Sequence, residues 1–235
     1  MTQHALLNNI QHRDVRIITA NGAQYGDDVM AAITFPSEFR TIQAHYPIVF
    51  AKDREENYAP IALFGFREKQ NLFLKGDKWD ATYQPLMMER QPFLIGSAPN
   101  GKVIHIDLDH PRVSRTEGQP VFLEHGGNSP FLDRVGNLLA NIDAGLALNA
   151  PFVAALLEHK LLESFALDIQ FSDQTQNRFT GFHAIQEERL NALDGTALES
   201  LHRKGFLSAI YMTIASFARF RDLIERASKL NAADR

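Results

Sequence analysis

The chain has no cysteine among its 235 residues. That absence excludes a disulfide framework, an iron–sulfur cluster, thiolate-bound zinc and a cysteine nucleophile together. It fits a reducing compartment, and the expected location is cytoplasmic. A cationic excess is also lacking: 24 Lys and Arg stand against 28 Asp and Glu, for a net charge of −4 and a pI near 6.1. Binding a phosphate backbone takes a basic stripe, whereas the cations here are scattered, so nucleic acid is not an expected partner. Long apolar runs are missing as well. Met1–Ala20 has no basic start and no continuous apolar core, which predicts no secretory leader. The longest uncharged apolar run, Gly205 to Ala218, would span roughly 21 Å as a helix, short of the ~30 Å hydrocarbon core of a bilayer. It reads as a buried helix, and no transmembrane segment is expected.

The common reaction signatures are absent too. There is no G-x-x-x-x-G-K-[ST] loop, no G-x-G-x-x-G, no G-x-S-x-G elbow and no H-E-x-x-H helix, so the usual nucleotide, hydrolase and zinc-protease routes have no support. No cofactor is expected.

What the chain does have is concentrated between His45 and Phe93, which hold nine of its 23 aromatic residues, four of its ten prolines and its only tryptophan. Rigid rings, fixed φ angles and a few cations describe either a tightly specified sheet or a recognition surface. Tyr46, Trp79 and Tyr83 join an apolar body to a hydrogen-bonding tip, and Arg67 and Arg90 could grip a carboxylate or lie across a ring. These five residues are the candidate binding set. The competing reading places the rings in the core and the arginines in solvent.

Patterning divides the chain into a strand-rich part, 1–127, and a helix-rich part, 128–235. In the first, Phe93–Gly96 and Lys102–Leu108 form a hairpin across Asn100-Gly101, with Ile104, Ile106 and Leu108 on one face. Ile48–Ala51 and Ile61–Phe66 read as further strands, Lys69–Asn71 and Gly76-Asp77 as turns, and Ser37–Ala44 as a short helix burying Phe39 and Ile42. In the second, Ser129 is a candidate N-cap with Pro130 in the first helical position. Phe131, Val135, Leu138, Leu139, Ile142 and Leu146 then recur at helical spacing. Asn149-Ala150-Pro151 opens a second helix, and Leu167–Phe171 with Arg178–Phe182 form a late hairpin over Ser172–Asn177. Thr196 and Glu199 match a capping box. One C-terminal helix carries Phe206, Ile210, Ile214, Phe217 and Ile224. The expectation is a single α+β domain over residues 1–235, a mostly antiparallel sheet packed against C-terminal helices, with the late hairpin joining the sheet.

His105 and Asp107 give an H-x-D pair on one strand face, the form found in two-His-one-carboxylate iron oxygenases. No second histidine is marked by spacing, and a solvated strand face is the expected reading, with no metal bound. Glu124-His125 reads as a polar turn ahead of the helix rather than a proton-transfer pair.

The segments Tyr46-Pro47-Ile48-Val49-Phe50, Pro60 to Gly65, Asn71-Leu72-Phe73, Trp79-Asp80, Tyr83-x-Pro85 and Arg90-x-Pro92-Phe93 resemble the SapC family of bacterial proteins. Gly181-Phe182, Glu188-Arg189-Leu190, Leu201-His202 and Ile210-Tyr211 continue the similarity, which runs from about His12 to Arg226. The resemblance implies an association with a surface layer, or with flavin-dependent halogenase-like proteins and outer-membrane receptors. It carries over no catalytic residues. A non-enzymatic accessory protein that recognises a protein or peptide partner, such as a halogenase-like protein, is the expected function. An iron oxygenase using His105 and Asp107 is the alternative.

Overall fold

A computed structural model describes residues 3–99, 101–170 and 176–233. Chain order runs β1 (His4–Leu6), β2 (Arg16–Ile17), β3 (Ala31–Ile33), α1 (Phe39–Ile42), β4 (Ile48–Lys52) and β5 (Tyr58–Leu63). Then come β6 (Leu74–Lys75), β7 (Lys78–Trp79), α2 (Leu86–Glu89), β8 (Phe93–Ala98), β9 (Gly101–Asp107), β10 (Val113–Ser114) and β11 (Gln119–Pro120). The remainder is α3 (Pro130–Leu146), α4 (Asn149–Glu158), β12 (Leu162–Gln170), β13 (Gln176–Ile185), α5 (Glu187–Asn191), α6 (Gly195–Arg203), α7 (Phe206–Ser216) and α8 (Arg219–Ala233). The chain is therefore α+β, with every strand pair among the described residues antiparallel. Its backbone gathers into two compact units. Unit 1 holds the chain up to Asp28, Leu74–Asp80 and Leu86–Ala144, and unit 2 holds Val29–Phe73, Ala81–Pro85 and the chain from Gly145 onward.

Unit 1 contains two three-stranded sheets, β1-β9-β8 and β10-β2-β11. Alternation along β9 puts Ile106 inward, where it packs with Val15, Ile17, Phe93 and Val121 against Leu132, Val135 and Leu139 of α3. Ser129 caps α3 as its sequence position implies: its Oγ accepts the Leu132 amide at 3.2 Å and donates to the Pro120 carbonyl at 2.6 Å. The helix buries Val135, Leu139 and Ile142 of the expected stripe, adds Leu132, and leaves Phe131 and Leu138 half-exposed. Beside this core lies a buried ion pair. Arg112 Nη2 donates to both carboxylate oxygens of Asp27, at 2.9 and 2.7 Å, while Asp27 also accepts the Gly22 amide at 2.9 Å. The guanidinium's Nη1 bonds the Ile18 and Ala20 carbonyls, and Tyr25 lies under it at 5.2 Å. Arg112 is thereby tied at several points to the single stretch from Ile18 to Asp27.

Unit 2 is built on a five-stranded sheet in the order β12-β13-β4-β5-β3, so the late hairpin does join the sheet. Ile48, Val49 and Phe50 are consecutive and all buried, the mark of a strand covered on both faces. Phe152 of α4 is the hub on one side, edge-on to Phe39 at 5.8 Å and to Phe206 at 5.3 Å, and tilted against Phe50 at 6.2 Å. Ser216 of α7 accepts the Ile48 amide at 2.9 Å, which satisfies a buried donor at the start of β4. Hairpin β12–β13 extends further along the sequence than its apolar cores suggest and carries a register shift between Phe165 and Leu167. Its turn and the Asn100 half of the β8–β9 turn lie outside the described residues.

Two expectations are corrected here. The cap of α6 is Asp194, whose carboxylate accepts the Ala197 amide at 2.8 Å. Thr196 is already inside the helix, and Glu199 pairs instead with Arg203 one turn on. The C-terminal helix is two helices. Phe217 and Ala218 take tight bonds to Ile214 and Ala215, and Phe217 and Phe220 close around Phe165 at 5.2 and 5.3 Å. The break shifts the helical phase, so Ile210, Thr213, Phe220 and Leu223 face the core while Ile214, Phe217 and Ile224 are half-buried. Pro130–Glu158 is long and apolar enough, by length and composition, to cross a membrane. About a third of its most apolar window is buried in the protein (33%).

Two substitutions check this architecture by chemical denaturation. Asp27→Ala leaves a buried guanidinium uncompensated and is expected to cost about 3–5 kcal/mol. Asp194→Ala is expected to cost about 1 kcal/mol and Thr196→Ala less than about 0.5 kcal/mol, whereas a capping box at Thr196 requires the reverse order.

Candidate functional site

Of the five residues singled out in the sequence, Tyr46 lies wholly inside unit 2. Its ring stands edge-on to Phe64 at 5.3 Å and to Phe73 at 4.7 Å, and its hydroxyl donates to the Tyr83 carbonyl. Tyr83 in turn donates its hydroxyl to Glu38 Oε1 at 2.8 Å, and Thr34 donates to the other carboxylate oxygen at 2.7 Å. Glu38 is buried, so both hydroxyls replace water it has lost. Tyr46 and Tyr83 are thus brought together, but as an internal brace; for Tyr46 the core reading is the one that holds. Arg67 is exposed in the Arg67–Gln70 turn, and its side chain has no bonded partner among the described residues. In unit 1, Trp79 is half-buried opposite Leu74 in the β6–β7 hairpin. Arg90 donates to the Phe93 carbonyl at 2.7 Å, and burial pushes its pKa below the usual guanidinium value.

His105 and Asp107 do share a face of β9, but each is engaged locally. The His105 ring lies over Gly96, where an added Cβ would stand 2.4 Å from the ring. Asp107 Oδ1 accepts the Asp109 amide at 3.2 Å. Nearby His110 accepts the Arg112 amide on Nδ1 and bonds Gln91 through Nε2 at 3.0 Å, and its pKa is lowered, chiefly by burial. No three histidine or carboxylate side chains converge on a point among the described residues. The set that the oxygenase alternative requires is therefore not assembled around His105. Glu124-His125 forms the exposed polar turn expected of it, with the Gly126 amide bonded to the Leu123 carbonyl.

A different site does assemble in unit 1. Strand β2 is flanked by β10 and β11, with Ser114 and Pro120 both registered against Arg16. These pairings bring Arg13, Arg16 and Arg115 to the rim of a cleft of about 360 Å³, within the usual range of ligand pockets. Its apolar lining comes from Val15, Pro120, Phe122 and Leu123, and Asp14 and Glu124 line it as well. Arg13 Nη2 donates to the Glu124 carbonyl at 2.9 Å, and Arg16 Nε to the Gly118 carbonyl at 3.1 Å. Each guanidinium is thus held by one bond while its other N–H groups remain. Arg115 has no side-chain partner among the described residues. Nothing local in the sequence marks this trio, because Arg115 reaches the other two only through strand pairing across about a hundred residues.

A family model described as SapC matches residues 7–223, nearly the whole chain. Comparison with curated proteins and with solved structures returns no match.

Tyr46→Phe is expected to cost about 0.5–1.5 kcal/mol of stability by removing the hydrogen bond from its hydroxyl to the Tyr83 carbonyl. Arg67→Ala is expected to change stability by less than about 0.5 kcal/mol. Thermal melts of the two variants check this: equal and negligible effects would return Tyr46 to a surface role.

Proposed function

We propose that this chain, which belongs to the SapC family, is a non-catalytic recognition protein that binds another protein or a peptide through the arginine-rimmed cleft of unit 1. The observation that carries this reading is three guanidiniums set around an apolar lining, two of them braced by backbone carbonyls. Arginine is enriched among the residues that dominate binding energy, since its planar fork combines directed hydrogen bonds with an apolar face. Bracing lowers the entropy lost on binding, so more of each contact appears as affinity.

Within unit 1, Trp79 keeps some solvent-facing surface and is retained in the proposal as an accessory contact. A halogenase-like protein, the kind of partner the family resemblance implies, and a cytoplasmic setting complete it.

The test is in-cell cross-linking followed by mass spectrometry on the native chain and on Arg115→Glu. Recovery of a stoichiometric partner is expected to fall about tenfold or more in the variant, with melting temperature unchanged, as loss of a hot-spot arginine would do. A partner recovered equally by both chains would sink the cleft as the binding site.

A further inference from the structure

We infer that the cleft reads a single carboxylate lying beside a large apolar side chain, so that the ligand is an acidic–hydrophobic segment of a polypeptide. The inference rests on the recognition reading above and adds the chemistry of what is recognised. Charge sets the first half. Three guanidiniums and two carboxylates at the rim leave one net positive charge, which a lone carboxylate balances. A phosphate dianion or a polyanion would bring surplus negative charge against Asp14 and Glu124. Arg115, whose side chain has no partner among the described residues, supplies the fork that a carboxylate can meet with two parallel hydrogen bonds.

Apolar surface sets the second half. Ile10 is 88% exposed and Leu123 49% exposed. Neither sits on a slack loop. Asn8 Oδ1 accepts the amides of Ile10 and Gln11, at 3.2 and 2.9 Å, and the Asn8 side-chain amide bonds Leu6 O and Gln11 Oε1. The loop is stitched to the Leu123–Gly127 turn by Asn9 Nδ2 to the Gly126 carbonyl at 2.6 Å. Arg13 to the Glu124 carbonyl makes the second stitch, and Arg13, Leu123 and Glu124 all line the cleft. An isoleucine presented on a fixed turn beside a cationic cleft is an anchor for a partner's apolar side chain. An anionic bilayer fits less well, since Asp14 and Glu124 leave the three arginines of the rim only one net positive charge.

The test uses the full chain and three fluorescein-labelled pools of degenerate heptapeptides, fixed at the centre as Asp-Leu, Asn-Leu or Asp-Ser, read by fluorescence anisotropy. The Asp-Leu pool is expected to bind about tenfold more tightly than either of the others, the scale of one charge-assisted contact. Arg115→Ala should erase the Asp-over-Asn preference and keep that for Leu, and Ile10→Ser should do the opposite. Equal binding of the Asp and Asn pools overturns the inference, as does binding to vesicles of phosphatidylglycerol and phosphatidylcholine without any pool preference. If pool preference fails while Arg115→Glu still loses its cross-linked partner, the ligand chemistry is wrong and the recognition reading stands. If both fail, the cleft is not the site.

Discussion

Unit 2 depends on the pairing of β13 with β4. Only two registered pairs make it, Phe182 with Ala51 and His183 with Phe50, yet they attach the β12–β13 hairpin to strands encoded some 130 residues earlier. A two-stranded ribbon is marginal by itself in water; as the flank of a five-stranded sheet it gains a buried face. That attachment gives α7 something to pack on, since the helix lies against both β4 and β13. Ser216 then completes the junction by taking the Ile48 amide. The pairing also sets His183 edge-on to Tyr58 at 4.8 Å, where burial, more than the nearby Lys52, lowers its pKa and favours the neutral ring.

Unit 1 reaches its order by polar means to a greater degree. Its strands beside the cleft are two residues long, too short to be held by ladder bonds alone. Val15 and Ile17 tuck inward, leaving Arg16 to face outward by simple alternation. The Arg112–Asp27 pair then ties the carbonyls of Ile18 and Ala20 to the start of β10, so the loops next to β2 are fixed without large apolar side chains. A cleft rimmed by arginines needs a frame of this kind, because long side chains on unsupported loops would lose much of their binding energy to ordering.

The legible parts of the fold were those decided within a few residues of each other. Alternation across Ile104, His105 and Ile106 fixed β9, Ser129-Pro130 fixed the start of α3, and Phe39 with Ile42 marked the buried face of α1. Failures came where two local signals competed, or where partners were distant. Asp194 and Thr196 are both acceptable caps, and the choice between them turns on where the backbone leaves its extended conformation. The break after Ser216 involves neither glycine nor proline, only an aromatic contact with Phe165 from another part of the chain. Tyr46 shows the same limit at the candidate site: a tyrosine suits an interface or a core equally, and the Tyr83 carbonyl that its hydroxyl meets is 37 positions away. The arginine trio is wholly a product of strand pairing.

Ala81–Pro85 belong to unit 2, while the residues on either side of them belong to unit 1. The backbone passes from one unit to the other five times along its length, at 28/29, 73/74, 80/81, 85/86 and 144/145. No contiguous piece of the gene therefore encodes either unit, and no exchange of one continuous stretch replaces a whole unit while leaving the other intact. Modules that are shuffled between proteins need clean ends, and these have none. Neither unit can be moved whole without carrying part of the other, and the family pattern, which extends over 7–223, takes in both.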